Sequence, residues 1–185
     1  MRAVILYADG FEDVEAIATR DVLVRAGIEV VDLLTENVHS ENEVKSSHGL
    51  FLNGFNKAKD FNDDFDALIL PGGGLGVRNL LVSLETKRLL EKAFKEHKLV
   101  CAICAAPMVL GKYGYLKGKK YTCFAGCNEE IDGIFTEHQV EVDGNIITAR
   151  SMLYSVPFGI HIIDKLLGSE VSDKVYKQIE GLNRK

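Results

Sequence analysis

Short apolar runs alternate along this chain with segments of helical period. Ala3 to Tyr7 reads as a strand, Val14 to Ala26 as a helix and Glu29 to Thr35 as a second strand, with Gly27 placed as a helix C-terminal stop. After the polar segment Glu41 to Ser47, Gly49 to Asn53 predicts a short strand. Ala67 to Leu70 is apolar throughout and leads into the glycine loop Pro71-Gly72-Gly73-Gly74; a helix follows over Glu85 to His97, then a strand over Leu99 to Ile103. Pro107 to Tyr113 reads as a helix and Tyr121 to Phe124 as a short strand. Gln139 to Val142 and Asn145 to Ala149 form a hairpin turning at Asp143-Gly144, and Val156 to Leu167 is the last large helix.

Strands that are apolar along their whole length, separated by helices, predict an α/β fold: a mostly parallel sheet covered by helices on both faces. Neither a repeat nor a linker interrupts the pattern, so residues 1–185 are read as one domain. In such sheets ligands sit beyond the carboxyl ends of the strands. Three features fall there: Asp9 to Glu15 after the first strand, Gly72 to Gly74 after the fourth and Cys104 after the fifth.

Composition narrows the function. The formal net charge is −5, with Lys and Arg scattered and the densest basic run, Lys117 to Lys120, short; this argues against a nucleic-acid surface. No apolar run approaches transmembrane length, and the first residues lead straight into a strand, so no membrane association and a cytoplasmic location are expected. Four cysteines in that compartment point to thiol chemistry or metal before structural disulfides.

Cys104 ends the apolar run Leu99 to Ile103, and Ala105-Ala106-Pro107 then opens a helical pattern. At such an elbow the sulfur is pushed out of the turn toward the first backbone N–H groups of the helix, which favours a nucleophilic thiolate. The same segment also reads as a small buried core cysteine. Glu12 and Asp13 suit capping and solvation of a helix N-terminus. Glu15 begins the apolar-periodic segment instead; beside a thiolate it would hold its proton, donate to sulfur and act as acid or base. The glycine loop lacks nucleotide-binding spacing and reads as a tight turn whose N–H groups could face an oxyanion. Cys101, Cys104, Cys123 and Cys127 come near zinc spacing, but Cys101 lies inside a strand, and residues three apart on a strand point to opposite faces; no metal and no Cys101–Cys104 disulfide are expected. His39, His97 and His138 read as solvated and His161 as packed against the core, while His48 could reach a site or a partner chain.

Ala102-Ile103-Cys104-Ala105-Ala106-Pro107 resembles the nucleophile elbow of the ThiJ/PfpI (DJ-one/PfpI) family, within the class I glutamine amidotransferase-like superfamily. Leu70 to Leu80 resembles its PGG loop, Asp9 to Glu15 its acidic N-terminal motif, and Ser47-His48-Gly49 and Asp143 to Arg150 also fit, in order. The resemblance implies a flavodoxin-like sandwich, a homodimer, and Cys104 as a low-pKa, oxidation-sensitive nucleophile. It makes Glu15 the contacting carboxyl and the Gly73 and Ala105 N–H groups the oxyanion site, with Gly72, His48, Phe124 and Arg150 as pocket candidates. Activities it implies include cofactor-independent glyoxalase chemistry, deglycation, and redox sensing or chaperone behaviour. Some members are proteases or amidases.

Two departures bear on the choice. Protease-like members carry a histidine directly after the nucleophile where this chain has Ala105, which disfavours a Cys-His peptidase. A histidine found near Phe124 in the closer branch is absent here. Arg150-Ser151-Met152-Leu153-Tyr154 replaces that branch's Arg-Gly-Pro-Gly-Thr loop, giving a more apolar pocket. The expectation is a cysteine enzyme for a small carbonyl substrate that uses no cofactor; the alternative is a non-enzymatic thiol sensor or chaperone-like protein.

Overall fold

In the computed structural model, which describes residues 1–40 and 42–182, the chain forms β1 (Arg2–Tyr7), α1 (Asp13–Arg25), β2 (Glu29–Leu34), β3 (Glu43–Lys45), β4 (Phe51–Asn53), β5 (Asn56–Lys57) and β6 (Ala67–Leu70). It continues through α2 (Gly74–Val82), α3 (Leu84–Lys95), β7 (Leu99–Ile103), α4 (Pro107–Lys112), β8 (Lys120–Tyr121), β9 (Ile134–Phe135), β10 (Val140–Asp143), β11 (Ile146–Ala149), α5 (Ser155–Leu167) and α6 (Ser169–Ile179). The main sheet has the order β10-β11-β7-β6-β1-β2-β5, parallel except for the β10–β11 hairpin.

The pleat explains why its central strands are apolar at every position. Val4, Leu6, Leu68, Leu70, Val100 and Ala102 point to one face and pack with Leu89, Leu90 and Ala93 of α3 and Val109 and Leu110 of α4. Ala3, Ile5, Tyr7, Ala67, Ile69, Cys101 and Ile103 point to the other, against Ala16, Val22 and Leu23 of α1 and Phe158, Ile162 and Ile163 of α5. The result is the expected α/β flavodoxin-like sandwich. The chain leaves β1 for β2 on one side and returns to β6 on the other, and the crevice between β1 and β6 is the switch point where such sheets bind ligands.

Several elements differ from the sequence reading. The glycine loop runs directly into α2, a helix with glycine at its first and third positions, held by Val77 and Leu80 packing into the core rather than by intrinsic propensity. The polar segment Glu41 to Ser47 contains β3, and the strand expected over Tyr121 to Phe124 is the two-residue β8. Beyond the expected elements the chain adds α6, which packs on α5. His161 is exposed rather than packed in the core, because the buried stripe of α5 passes through Phe158, Ile162 and Ile163 and leaves position 161 outside. His39, His97 and His138 are exposed, as expected. Among the described residues no helix is long and apolar enough to cross a membrane.

Candidate active site

β1, β6 and β7 end side by side, which brings Glu15, Gly72 and Cys104 together. Cys104 adopts φ +63°, a left-handed conformation that a residue with a Cβ rarely takes. Its N–H donates to Ala149 O at 2.8 Å at the end of β11, and its carbonyl accepts the Phe124 N–H at 2.8 Å. The Ala106 N–H closes the turn onto Ile103 O at 3.0 Å, with Pro107 opening α4. The elbow is therefore fastened on three sides, and the Ala105 N–H donates to the Cys104 sulfur.

Glu12 is the N-cap of α1, accepting the Glu15 N–H at 2.7 Å. One turn of this capped helix aims Glu15 inward, and only 1% of the residue is exposed. Its Oε2 accepts the Gly72 N–H at 2.9 Å. Its Oε1 is buried and meets no N–H or O–H donor among the described residues, and the Cys104 thiol is the other polar group in contact with the carboxyl. An unmet buried carboxylate oxygen is costly, and a proton on it removes the deficit. Burial, together with the charge of Glu12, accordingly raises the carboxyl to about 7. The thiol is raised too, by burial first and then by the negative charge of Glu15. This corrects the expectation that the elbow gives a low-pKa cysteine: the Ala105 N–H pulls downward, but burial and the Glu15 charge outweigh it.

The glycine loop is shaped by close approach. The Glu12 N–H donates to Gly72 O and the Gly76 N–H to Gly10 O, each at 3.0 Å, so the loop and the β1–α1 turn interlock. A Cβ on Gly73 would collide with Gly10 O, and one on Gly72 with Glu15 Oε2 and, at 2.8 Å, with Cys104 Cβ. Gly72→Ala is expected to destabilise the protein by about 2–4 kcal/mol and to displace Glu15. Gly74→Ala, whose nearest neighbour is Arg78 Nη1 at 3.8 Å, should be neutral or slightly stabilising. Denaturant midpoints of the two variants check the contrast.

The remaining pocket candidates are placed less centrally. Phe124 is anchored to the elbow through its backbone, with its ring half-exposed. Arg150 directly follows β11, with its N–H on Gln139 O at 3.0 Å and its side chain exposed. His48 is exposed and lies against Asp13, Nδ1 to Oδ2 2.9 Å, rather than against Cys104. That hydrogen bond raises the imidazole pKa. In Asp13 the upward push of burial is outweighed by hydrogen bonds from Ser46 and His48, and its pKa is lowered. Glu12, Asp13 and His48 offer ligand atoms within 4.8 Å of one another, the one such group among the described residues, but Glu12 caps α1 and Asp13 is engaged with Ser46, Ser47 and His48. All four cysteines are free, and Cys101 is buried on the α1 and α5 side of the sheet. Asn79, which the sequence reading passed over because α2 was not anticipated, donates to Asp9 O at 2.8 Å and pins the β1–α1 turn.

The DJ-1/PfpI family model matches residues 1–165. The chain belongs to the DJ-1/PfpI family. It is 38% identical to Protein DJ-1 homolog B of Arabidopsis thaliana over 168 residues, 88% of this chain but 37% of that protein, so it spans well under two thirds of that relative. A Pyrococcus abyssi protein named a deglycase is 33% identical over 154 residues, covering 81% of this chain and 90% of that one. Among solved structures, oxidized Toxoplasma gondii DJ-1 superposes with a TM-score of 0.90 at 26% identity, covering 96% of this chain and 97% of the other. In this DJ-1/PfpI chain Asp9 to Glu15, the Pro71 to Gly74 loop and the Cys104 elbow are the three strand ends that meet in the crevice.

Proposed function

We propose that this DJ-1/PfpI chain is a cofactor-independent, thiol-dependent enzyme for small 2-oxoaldehydes or their adducts, acting in the cytoplasm as a homodimer. The observation that carries the reading is a cysteine held at φ +63° against a buried carboxyl whose pKa is raised to about 7. A group poised near neutral pH transfers protons in both directions efficiently. The relative named a deglycase supports the same class of chemistry. Exposed Val14 and Ile17, on the helix that carries Glu15, offer apolar surface for a second copy.

In this mechanism the Glu15 carboxylate takes the Cys104 proton as the sulfur adds to the aldehyde carbon, forming a C–S bond while the carbonyl electrons pass to oxygen. The Gly73 and Ala105 N–H groups hold that oxyanion, and Glu15 gives it a proton. The Glu15 carboxylate next removes the C–H proton of the hemithioacetal, and reprotonation at the neighbouring carbon leaves a hydroxy thioester. Water cleaves the thioester, releasing a 2-hydroxy acid and restoring the thiol. One water is added overall and hydrogen moves between adjacent carbons, so no external oxidant or reductant is required.

Methylglyoxal supplied in large excess should give lactate many times the molar amount of protein, above controls containing buffer thiols. Product that stops near one equivalent would instead mean scavenging by a reactive thiol. A second reading, a thiol sensor, is favoured by the partial exposure of Cys104 and by the oxidized state named for the Toxoplasma relative.

A further inference from the structure

Beside the elbow lies a thiol that the mechanism leaves unused. The Phe124 N–H is bonded to Cys104 O, and the chain then turns so that the Cys127 N–H meets Phe124 O at 3.0 Å. This folds Cys127 back toward the residue fastened to Cys104. Both cysteines pack, partly buried, on the same apolar cluster with Met108, and Cys127 lines a cavity of about 410 Å³ with Met108, Leu81 and Ile131. The Cys127 sulfur is also among the groups that raise the Cys104 thiol, after burial and the Glu15 charge. Residues 125–130 belong to no helix or strand, and among the described residues none of their hydrogen bonds reaches the main sheet. Gly126, at φ +83° with open space around it, gives the loop further freedom. The other thiols lack this combination: Cys101 is fully buried on the far face and Cys123 is fully buried in the core.

We propose that Cys127 is the resolving thiol of Cys104. A peroxide oxidises the Cys104 thiolate, one oxygen passing to sulfur as the O–O bond breaks, which gives a sulfenic acid and water or an alcohol. The Cys127 sulfur then attacks the Cys104 sulfur, the S–O bond breaks, and the hydroxyl leaves as water with the Cys127 proton. The product is a Cys104–Cys127 disulfide. It halts oxidation at a stage that thiols reverse, before the sulfinate. The proposal rests on Cys104 being a reactive thiol, and not on carbonyl turnover.

The test uses the reduced full-length protein, treated with equimolar hydrogen peroxide and then alkylated. Trypsin releases Leu99 to Lys112, which holds Cys101 and Cys104, and Tyr121 to Arg150, which holds Cys123 and Cys127. These peptides should be found joined, with fragmentation placing the link at Cys104 and Cys127, and dithiothreitol should part them. Cys127→Ser should abolish the link and raise the sulfinate on Cys104 about fivefold at equal peroxide, while the reduced variant keeps its methylglyoxal turnover. Sulfinate forming equally in both proteins, a link through Cys123, a link between two chains, or a Cys104 that stays reduced would each overturn the proposal. The mapping in the unaltered protein stands even if the variant fails to fold. A disulfide without methylglyoxal turnover would refute the enzymatic reading and leave this proposal intact; turnover without the disulfide would do the reverse.

Discussion

Cys104→Ser is expected to lower dicarbonyl turnover by at least about 10³-fold while leaving the fold unchanged. Serine matches cysteine in shape, so it keeps the elbow hydrogen bonds to Ala149 and Phe124, which are made by the backbone. What it loses is the sulfur: an alcohol beside a Glu15 carboxyl poised near 7 does not give up its proton, and the addition to the aldehyde carbon stalls. A companion pair separates chemistry from strain. Cys104→Ala and Cys104→Gly should be equally inactive, but the glycine variant should be the more stable by about 1 kcal/mol, because alanine retains a Cβ at φ +63° and glycine does not. Steady-state lactate formation and thermal midpoints measure the two effects. An inactive protein gaining stability on loss of its Cβ would mark the elbow as strain kept for function. Equal stability of the two variants would remove the strain argument, and turnover surviving in Cys104→Ser would remove the mechanism.

The outcome for each element follows from where its structural signal lies. β6 and β7 are legible to the residue because parallel strands buried on both faces must be apolar at every position, a pattern that needs no tertiary information. The elbow was legible for a related reason: a strand of that kind breaking into small residues and a proline leaves little choice of turn. α2 was hidden because its glycines at positions 74 and 76 argue against a helix. It is held by Val77 and Leu80 in the core, and only glycine at 76 lets it approach Gly10 and Phe11, contacts between distant parts of the chain. The distinction between Glu12 as cap and Glu15 as inward carboxyl was readable from helical phase. The acidity of Cys104 was not. The expected lowering came from local N–H donors, whereas burial and the Glu15 charge, which oppose it, appear only when β1 and β7 are brought side by side. Cys127 lies in a loop with no periodicity, so nothing in its sequence context shows that it folds back toward Cys104.

Glu15→Gln is expected to alter stability and reactivity along the pH axis in two separable ways. The folded protein holds the Glu15 proton up to about 7, whereas the unfolded chain releases it near the ordinary value of 4.5. Between those limits the folded state binds more protons than the unfolded state, so stability falls as pH rises through this window, by up to about 3 kcal/mol, and stays lower above it. Glutamine carries no such proton. The variant should lack this part of the decline, and at pH 8 it should gain on the unaltered protein relative to pH 4.5; urea midpoints across that range provide the measurement. Reactivity should move the other way. In the unaltered protein the Glu15 proton leaves near 7, and the carboxylate can then take the Cys104 proton as the sulfur attacks, so iodoacetamide labelling of Cys104 should rise with a midpoint close to 7. With glutamine the thiol titrates alone in a partly buried site, and its midpoint should lie above the ordinary cysteine value of about 8.5. Turnover should fall by about 10²–10⁴-fold, since no group remains to carry the proton between oxygen and carbon. A labelling midpoint that does not move, together with unchanged turnover, would show that Glu15 only fills space beneath the thiol. A midpoint that rises while turnover collapses assigns to one carboxyl both the ionisation of Cys104 and the proton transfer that follows.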